Sequence, residues 1–241
     1  KMIRFSTSVS SLRASEIRDL MSLANKPDMI LFSGGMPDNE LFPLEEVDTI
    51  YNQLTVKEKQ IAMQYGPTHG IPQLLDSLAT YLNSKGLPVA ENKIMITTGS
   101  LQAINILAHA FIDPGDTVLV ENPCFIGAIS AFRSYQANIV SIPLTPSGID
   151  LTALEKTINE LPAPPKMLYL TPNFHNPAGT LYHRDTKLKL IELIRNRNIP
   201  ILEDDAYSEL YFHEEDKKHL ATLKGMNPEG IDICYTGSFS K

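Results

Sequence analysis

From Lys93 onward, short apolar runs alternate with segments whose apolar residues recur at helical spacing, and this alternation restricts the possible folds more than any other feature of the chain. Residues 94–97 precede a helix carrying Leu101, Ile104, Leu107, Ala108 and Phe111, and residues 117–120 lead to a helix around 126–135. Residues 139–142 precede the stripe Leu151, Leu154, Ile158 and Leu161, opened by Asp150 and closed by Pro162. Residues 167–170 precede a charged helix over 184–197, and runs at 201–202 and 231–235 complete the strands. This order predicts an α/β fold, a three-layer sandwich with a mostly parallel central sheet and right-handed crossovers.

The N-terminal part is less regular. Residues 1–11 read as an extended arm, Ser15 opens a helix over 16–23, and Lys26-Pro27 ends it. A strand at 29–32 runs into Ser33-Gly34-Gly35-Met36-Pro37, which fits either a close backbone approach or a tight turn. Residues 43–63 read as one helix, with Glu45 and Glu46 in its first turn. After the turn-rich loop 64–70, Ile71, Leu74, Leu75, Leu78 and Leu82 mark another helix, with Pro72 in its first turn and Gly86 past its end.

The chain has 241 residues, 43% of them hydrophobic and 20% charged, which is ordinary for a globular protein with a substantial core. A net charge of −7 with no Lys/Arg block argues against a nucleic-acid surface. The two cysteines, Cys124 and Cys234, form no Cys-x-x-Cys pair and suit a reducing compartment. No apolar run reaches membrane-spanning length and the first residues lack a signal peptide's apolar core, so a cytoplasmic protein is the expectation.

In parallel sheets ligands bind at the carboxyl edge of the strands. Thr98-Gly99-Ser100-Leu101-Gln102 falls there between a strand and a helix, and free N–H groups with the Ser100 hydroxyl suit an anion, although simple N-capping also accounts for them. Glu203-Asp204-Asp205-Ala206-Tyr207 places three carboxylates after an apolar strand. They suit a divalent cation, a protonated ring nitrogen, or helix-capping acids on a solvated turn. Thr171-Pro172-Asn173-Phe174-His175-Asn176-Pro177-Ala178-Gly179 also follows a strand, and Asn173, His175 and Asn176 are candidate polar contacts. Gly237-Ser238-Phe239-Ser240-Lys241 places a lysine among small hydroxyl residues, which suits attack on an aldehyde beside a held phosphate, or plain solvation. No Gly-x-Gly-x-x-Gly, no P-loop, no Gly-x-Ser-x-Gly elbow and no zinc-ligand spacing among His183, His213 and His219 is present.

Gly99-Ser100-Leu101-Gln102, Asn176-Pro177-x-Gly179, Asp204-Asp205-Ala206-Tyr207 and Gly237-Ser238-Phe239-Ser240-Lys241 occur in an order and spacing that resemble fold-type I pyridoxal-phosphate aminotransferases of class I/II. Ser33-Gly34-Gly35-x-Pro37 with Phe42-Pro43, and Tyr65-Gly66-Pro67 with Gly70-Ile71-Pro72, extend the resemblance, which is nearest the 2-aminoadipate and kynurenine-type subgroup. It implies pyridoxal 5'-phosphate as cofactor. Lys241 would carry it as a Schiff base and shuttle the substrate's α-proton. Asp204 would pair with the ring nitrogen, and Tyr207 and Asn176 with the phenolic oxygen. The phosphate would be held by Ser100, the Leu101 and Gln102 amides, Ser238 and Ser240. Phe125 would stack on the ring where the family often has tyrosine, keeping the π-face and losing the hydroxyl.

The resemblance also places Gly35 and Arg18, with Asn176, at the substrate, and it implies a homodimer in which Tyr65 reaches the neighbouring subunit's phosphate. It divides the chain into an N-terminal arm and helix over 1–43, part of the small domain and substrate lid, and a cofactor-binding large domain from 44 to 241. A C-terminal small domain bearing the carboxylate-binding arginine is expected beyond Lys241. The implied reaction is amino-group transfer from an L-amino acid (2-aminoadipate, aromatic or other) to a 2-oxo acid, 2-oxoglutarate foremost, by a ping-pong route. A lyase or decarboxylase on the same fold is one alternative. The other is a non-catalytic ligand-sensing domain of a transcription regulator. Such regulators carry a winged-helix module ahead of the domain, where this sequence shows only a short arm.

Overall fold

A computed structural model describes residues 4–10, 37–90, 93–226 and 231–241. The expected helix over 16–23, the strand over 29–32 and the Gly34-Gly35 turn lie outside the described residues. Two compact units are present, Arg13–Pro67 and the rest, Lys1–Leu12 with Thr68–Lys241. The sequence reading divides the chain at 43/44; the compact units divide at 67/68.

Residues 7–10 of the expected arm form a short helix, α1 (Thr7–Ser10). In the smaller unit, the single helix expected over 43–63 is two, α2 (Leu44–Gln53) and α3 (Val56–Ala62). Thr55 causes the break: its hydroxyl accepts the Glu58 N–H at 3.2 Å while the Glu58 carboxylate accepts the Thr55 N–H at 2.7 Å. That reciprocal cap starts a new helix where apolar spacing alone reads straight through.

From Thr68 onward the larger unit continues with α4 (Pro72–Ser84), which has Pro72 in its first turn as expected and leads into Gly86 at φ +78°. Residues 94–97, expected as a strand, form no strand and join no sheet; the Ile96 N–H donates to the His69 carbonyl. Next come α5 (Ser100–Phe111), β1 (Thr117–Asn122), α6 (Ile126–Ser134), β2 (Asn138–Thr145), β3 (Gly148–Ile149) and α7 (Leu151–Glu160). They are followed by β4 (Met167–Leu170), α8 (Arg184–Ile194), β5 (Ile201–Asp205), α9 (Leu223–Met226) and β6 (Ile233–Gly237). As expected, Asp150 caps α7, accepting the Ala153 N–H at 3.0 Å.

The six strands lie in the order β3-β2-β1-β4-β5-β6, parallel throughout except for the short β3. Alternation along the strands builds the layers. Leu119, Leu168, Leu170, Ile201 and Ile233 face one core with Leu154, Leu190, Ile191, Ile194 and Leu223, from α7, α8 and α9. Val118, Val120, Met167, Tyr169 and Leu202 face the other with Ile104, Ala108, Ala128 and Phe132, from α5 and α6. The expected three-layer α/β sandwich is the fold. Because β2 and β4 flank β1 on opposite sides, the chain reverses its winding there, and the carboxyl ends of β1 and β4 border the crevice where such sheets bind ligands.

Gly148 shows how tightly this unit closes. It sits at φ +129°, and a Cβ there would come 2.8 Å from Cγ of the buried Tyr182 ring. Gly148→Ala is expected to lower the unfolding free energy by about 1–3 kcal/mol, measurable by urea denaturation.

Candidate active site

The carboxyl edge of the sheet gathers the loops after β1, β4, β5 and β6, because parallel strands all end on one side. The acidic trio differs from its sequence reading. Glu203, Asp204 and Asp205 are not on a turn: they are the last three residues of β5, and all are buried. Strand alternation sends Asp204 to the α5/α6 side and Glu203 and Asp205 to the α8/α9 side. The three therefore do not converge, and no group of three or more His, Cys, Asp or Glu suited to a metal occurs among the described residues.

Asp204 is 5% exposed. Its Oδ2 accepts the Tyr169 hydroxyl at 2.8 Å and its Oδ1 the Thr236 hydroxyl at 3.1 Å. Burial pushes its carboxyl above the usual carboxylate range, and these two hydroxyls pull it part of the way back. Burial and the Asp204 charge push the Tyr169 phenol well above its ordinary value, so it stays a donor. A buried anion with two fixed neutral donors and, among the described residues, no cation bonded to it suits a cationic group at the sheet edge.

Beyond β5, Asn176 Nδ2 donates to the Tyr207 hydroxyl at 3.3 Å, and Lys241 Nζ lies 5.4 Å from the centre of the Tyr207 ring. Asn176, Tyr207 and Lys241, from three different loops, thus form one group. Ser238 and Ser240 share a turn, the Ser240 N–H donating to Ser238 Oγ at 3.1 Å. Phe125 and Cys124 pack against the core that contains Tyr169, so they lie on the Asp204 face. A Cβ on Gly127 would come within 2.6 Å of the Phe125 ring, so glycine leaves that ring its place. Cys124 is no candidate nucleophile, because burial, with the Glu121 and Asp204 charges, pushes its thiol up to about 12.

At the start of α5, Gly99 adopts φ +74°, and the amides of Ser100 and Leu101 belong to the first turn, whose N–H groups have no partner within the helix. At Gln102 the backbone N–H donates to the Gly99 carbonyl at 3.2 Å and the side-chain oxygen accepts the Thr98 N–H, so in this structure Gln102 closes the turn. Tyr65 is fully exposed in the smaller unit. Gly35 and Arg18 lie outside the described residues.

Several residues around the site escape sequence reasoning: Tyr169 and Thr236, which hold Asp204, and Glu121, Tyr182 and Lys187 beneath the loops. Lys187 alone leaves a signal, since it stands in the buried stripe Lys187, Leu190, Ile191, Ile194 of α8. A lysine in such a stripe marks a buried polar partner.

A parallel α/β sheet with a lysine, a buried aspartate, a tyrosine and an asparagine around its carboxyl edge defines a cofactor-binding enzyme fold. Residues 26–241 match the family "Aminotransferase class I and II", and the chain belongs to that family. The 2-aminoadipate transaminase of Thermus thermophilus is 35% identical over 98% of this chain and 58% of its own length. The crystal structure of Pyrococcus horikoshii kynurenine aminotransferase with PMP superposes with a TM-score of 0.89 at 34% identity, over 98% of this chain and 58% of that one. An uncharacterized HTH-type transcriptional regulator of Escherichia coli is 33% identical over 93% of this chain and 47% of its own length. The chain therefore spans a little over half the length of the aminotransferases it matches. No helix among the described residues is long and apolar enough to cross a membrane.

Proposed function

We propose that this chain is the cofactor-binding part of a cytoplasmic, pyridoxal-phosphate-dependent aminotransferase that moves an amino group from an L-amino acid to a 2-oxo acid, 2-oxoglutarate foremost, by a ping-pong route. The observation that carries the reading is the buried Asp204, held by Tyr169 and Thr236 on the sheet edge that also carries Asn176, Tyr207 and Lys241.

The residues fit the cofactor. Asp204 supplies the anion for a protonated ring nitrogen, Asn176 and Tyr207 supply hydrogen bonds for the phenolic oxygen, and Phe125 supplies an aromatic face. The Ser100 and Leu101 amides, with the Ser100, Ser238 and Ser240 hydroxyls, supply donors for the phosphate. Pyridoxal phosphate, when bound, supplies an electron sink for the substrate's α-carbon. Lys241 is the amine that holds the cofactor and carries the proton to and from that carbon. Substrate would be met by Gly35, Arg18 and Asn176. In a homodimer, Tyr65 would serve the neighbouring subunit's phosphate.

The deciding experiment is the visible spectrum of the full-length protein with pyridoxal phosphate, before and after a panel of amino acids. A yellow band is expected that is absent in Lys241→Ala, bleached by particular donors, and accompanied by keto acid with stoichiometric glutamate. A colourless protein would overturn the reading. Ammonia or CO₂ as product would assign a lyase or decarboxylase instead. The likeness to the Escherichia coli regulator favours a second reading, a ligand-sensing domain, and a protein that binds the cofactor yet turns over no amino acid would support it.

A further inference from the structure

We propose that Glu121 and His175 are positioning residues that set the place of Asn176, and through it the hydrogen bonding of the cofactor's phenolic oxygen. This rests on the function proposed above. Residues 171–182 leave β4 and return to α8, with Asn176 near the middle. Glu121, at the end of β1, is fully buried beneath this loop and grips it at both ends. Its Oε2 accepts the Thr171 N–H at 2.9 Å, where the loop begins, and its Oε1 accepts the Tyr182 hydroxyl at 2.6 Å, where it ends.

His175 makes the third tie, in the middle. Its Nδ1 accepts the Ala178 N–H at 3.1 Å and so carries no proton. The ring proton is therefore on Nε2, which lies 3.2 Å from Glu121 Oε2 with both side chains fully buried. Nε2 makes no hydrogen bond among the described residues. Glu121 Oε2 is the polar atom that faces this buried nitrogen, an electrostatic contact that adds to the hydrogen bond at Nδ1. If the ring tilts, either the contact with Glu121 or the turn at Ala178 is lost.

The backbone is held in the same grip. Phe174, just before His175, sits at φ 53°, a left-handed conformation that a bulky side chain adopts only where its surroundings enforce it. The His175 N–H donates to the Thr180 carbonyl at 2.9 Å and the Tyr182 N–H to the Pro172 carbonyl at 2.8 Å, closing the loop on itself. Asn176 follows His175 directly, and its bond to Tyr207 is already long at 3.3 Å. A small shift of the loop would break it.

Hydrogen bonds to an anionic oxygen stabilise it, and they lower the pH at which the neighbouring cofactor nitrogen releases its proton. The chain's groups around that reporter are Tyr207, Asn176, Asp204, Tyr169 and Lys241; those around His175 are Glu121, Tyr182 and Thr171. The test is the pH midpoint of the visible band in full-length holoenzyme. His175→Ala and Glu121→Gln should each raise that midpoint by about half a unit or more. Leu154→Ala, a buried truncation on α7 in the apolar core that Tyr182 also borders but with no polar tie to the loop, should lower the melting temperature and leave the midpoint unchanged. If His175→Ala does not fold, His175→Asn, which keeps an acceptor for the Ala178 N–H, is read in the same way. Variants that titrate at the wild-type midpoint would overturn the proposal. So would an equal shift in Leu154→Ala, which would mark the effect as general loosening. A wild-type protein that takes up no pyridoxal phosphate would overturn the function itself.

Discussion

Replacing Asp204 with asparagine is expected to leave pyridoxal phosphate bound but to reduce turnover at least about a hundredfold. The substitution hardly changes shape. Both oxygens of Asp204 accept hydroxyls, from Tyr169 and Thr236, and a hydroxyl can equally accept from an amide, so the packing survives. The charge does not survive, and a neutral amide cannot hold a proton on a ring nitrogen. Stability should move the other way. Burial raises the Asp204 carboxyl above its ordinary 3.8, so folding takes up a proton there, and this group's contribution is lost as pH rises through the folded value. An amide has no such loss, so the cofactor-free variant should melt no lower than wild type at neutral pH. Lower turnover with undiminished stability separates a functional aspartate from a structural one. Full turnover in Asp204→Asn would remove Asp204 as the ring-nitrogen partner.

The elements that could be read from the sequence were those whose signal is local. The stripe Leu151, Leu154, Ile158, Leu161 with Asp150 before it identified α7 and its cap, because both lie within one helix's reach. Residues 94–97 show the limit: the apolar run reads as a strand, yet the segment is only half-buried and pairs with none, because pairing depends on neighbours that the run does not name. Thr55 shows another, since threonine at a helical position interrupts no apolar period until its side chain caps the next helix.

The acidic trio misled for a physical reason. Asp is rare inside strands, so consecutive carboxylates read as a turn. Here the strand is covered on both faces, and alternation separates the charges into two environments with different partners. Those partners could not be found from the chain alone. Asp204 stands opposite Thr236 and reaches Tyr169 only because β5 lies between β4 and β6 in one particular register. The positions of Lys241, Tyr207 and Asn176 were legible through family resemblance, whereas the clamp beneath them, Glu121 with His175, was not.

Lys187→Met is expected to lower the unfolding free energy of the full-length protein by about 3–5 kcal/mol. Lys187 is fully buried, and its ammonium gives one hydrogen bond each to Asn173 Oδ1 at 2.7 Å, the His219 carbonyl at 2.6 Å and the Ala221 carbonyl at 2.9 Å. Asn173 in turn donates to Asp205 Oδ1 at 3.0 Å, and Glu203 accepts the Leu223 and Lys224 N–H groups that open α9. Methionine fills the space but strands three acceptors and leaves Glu203 and Asp205 without their buried cation. The deficit should also depend on pH. Burial pushes Lys187 down to about 8 from 10.5, so the unfolded chain binds more protons in that window and the wild type regains stability as pH rises through it. Burial pushes Glu203 up to about 7 from 4.5, so its contribution is lost as pH rises through that lower window. Without the lysine, Glu203 resists ionisation further, and the variant keeps losing stability above pH 7 while the wild type does not. Urea denaturation across neutral to alkaline pH should therefore show the gap between the two widening upward. A gap that narrows with rising pH would mean that Lys187 is held by its carbonyl hydrogen bonds rather than by the buried carboxylates.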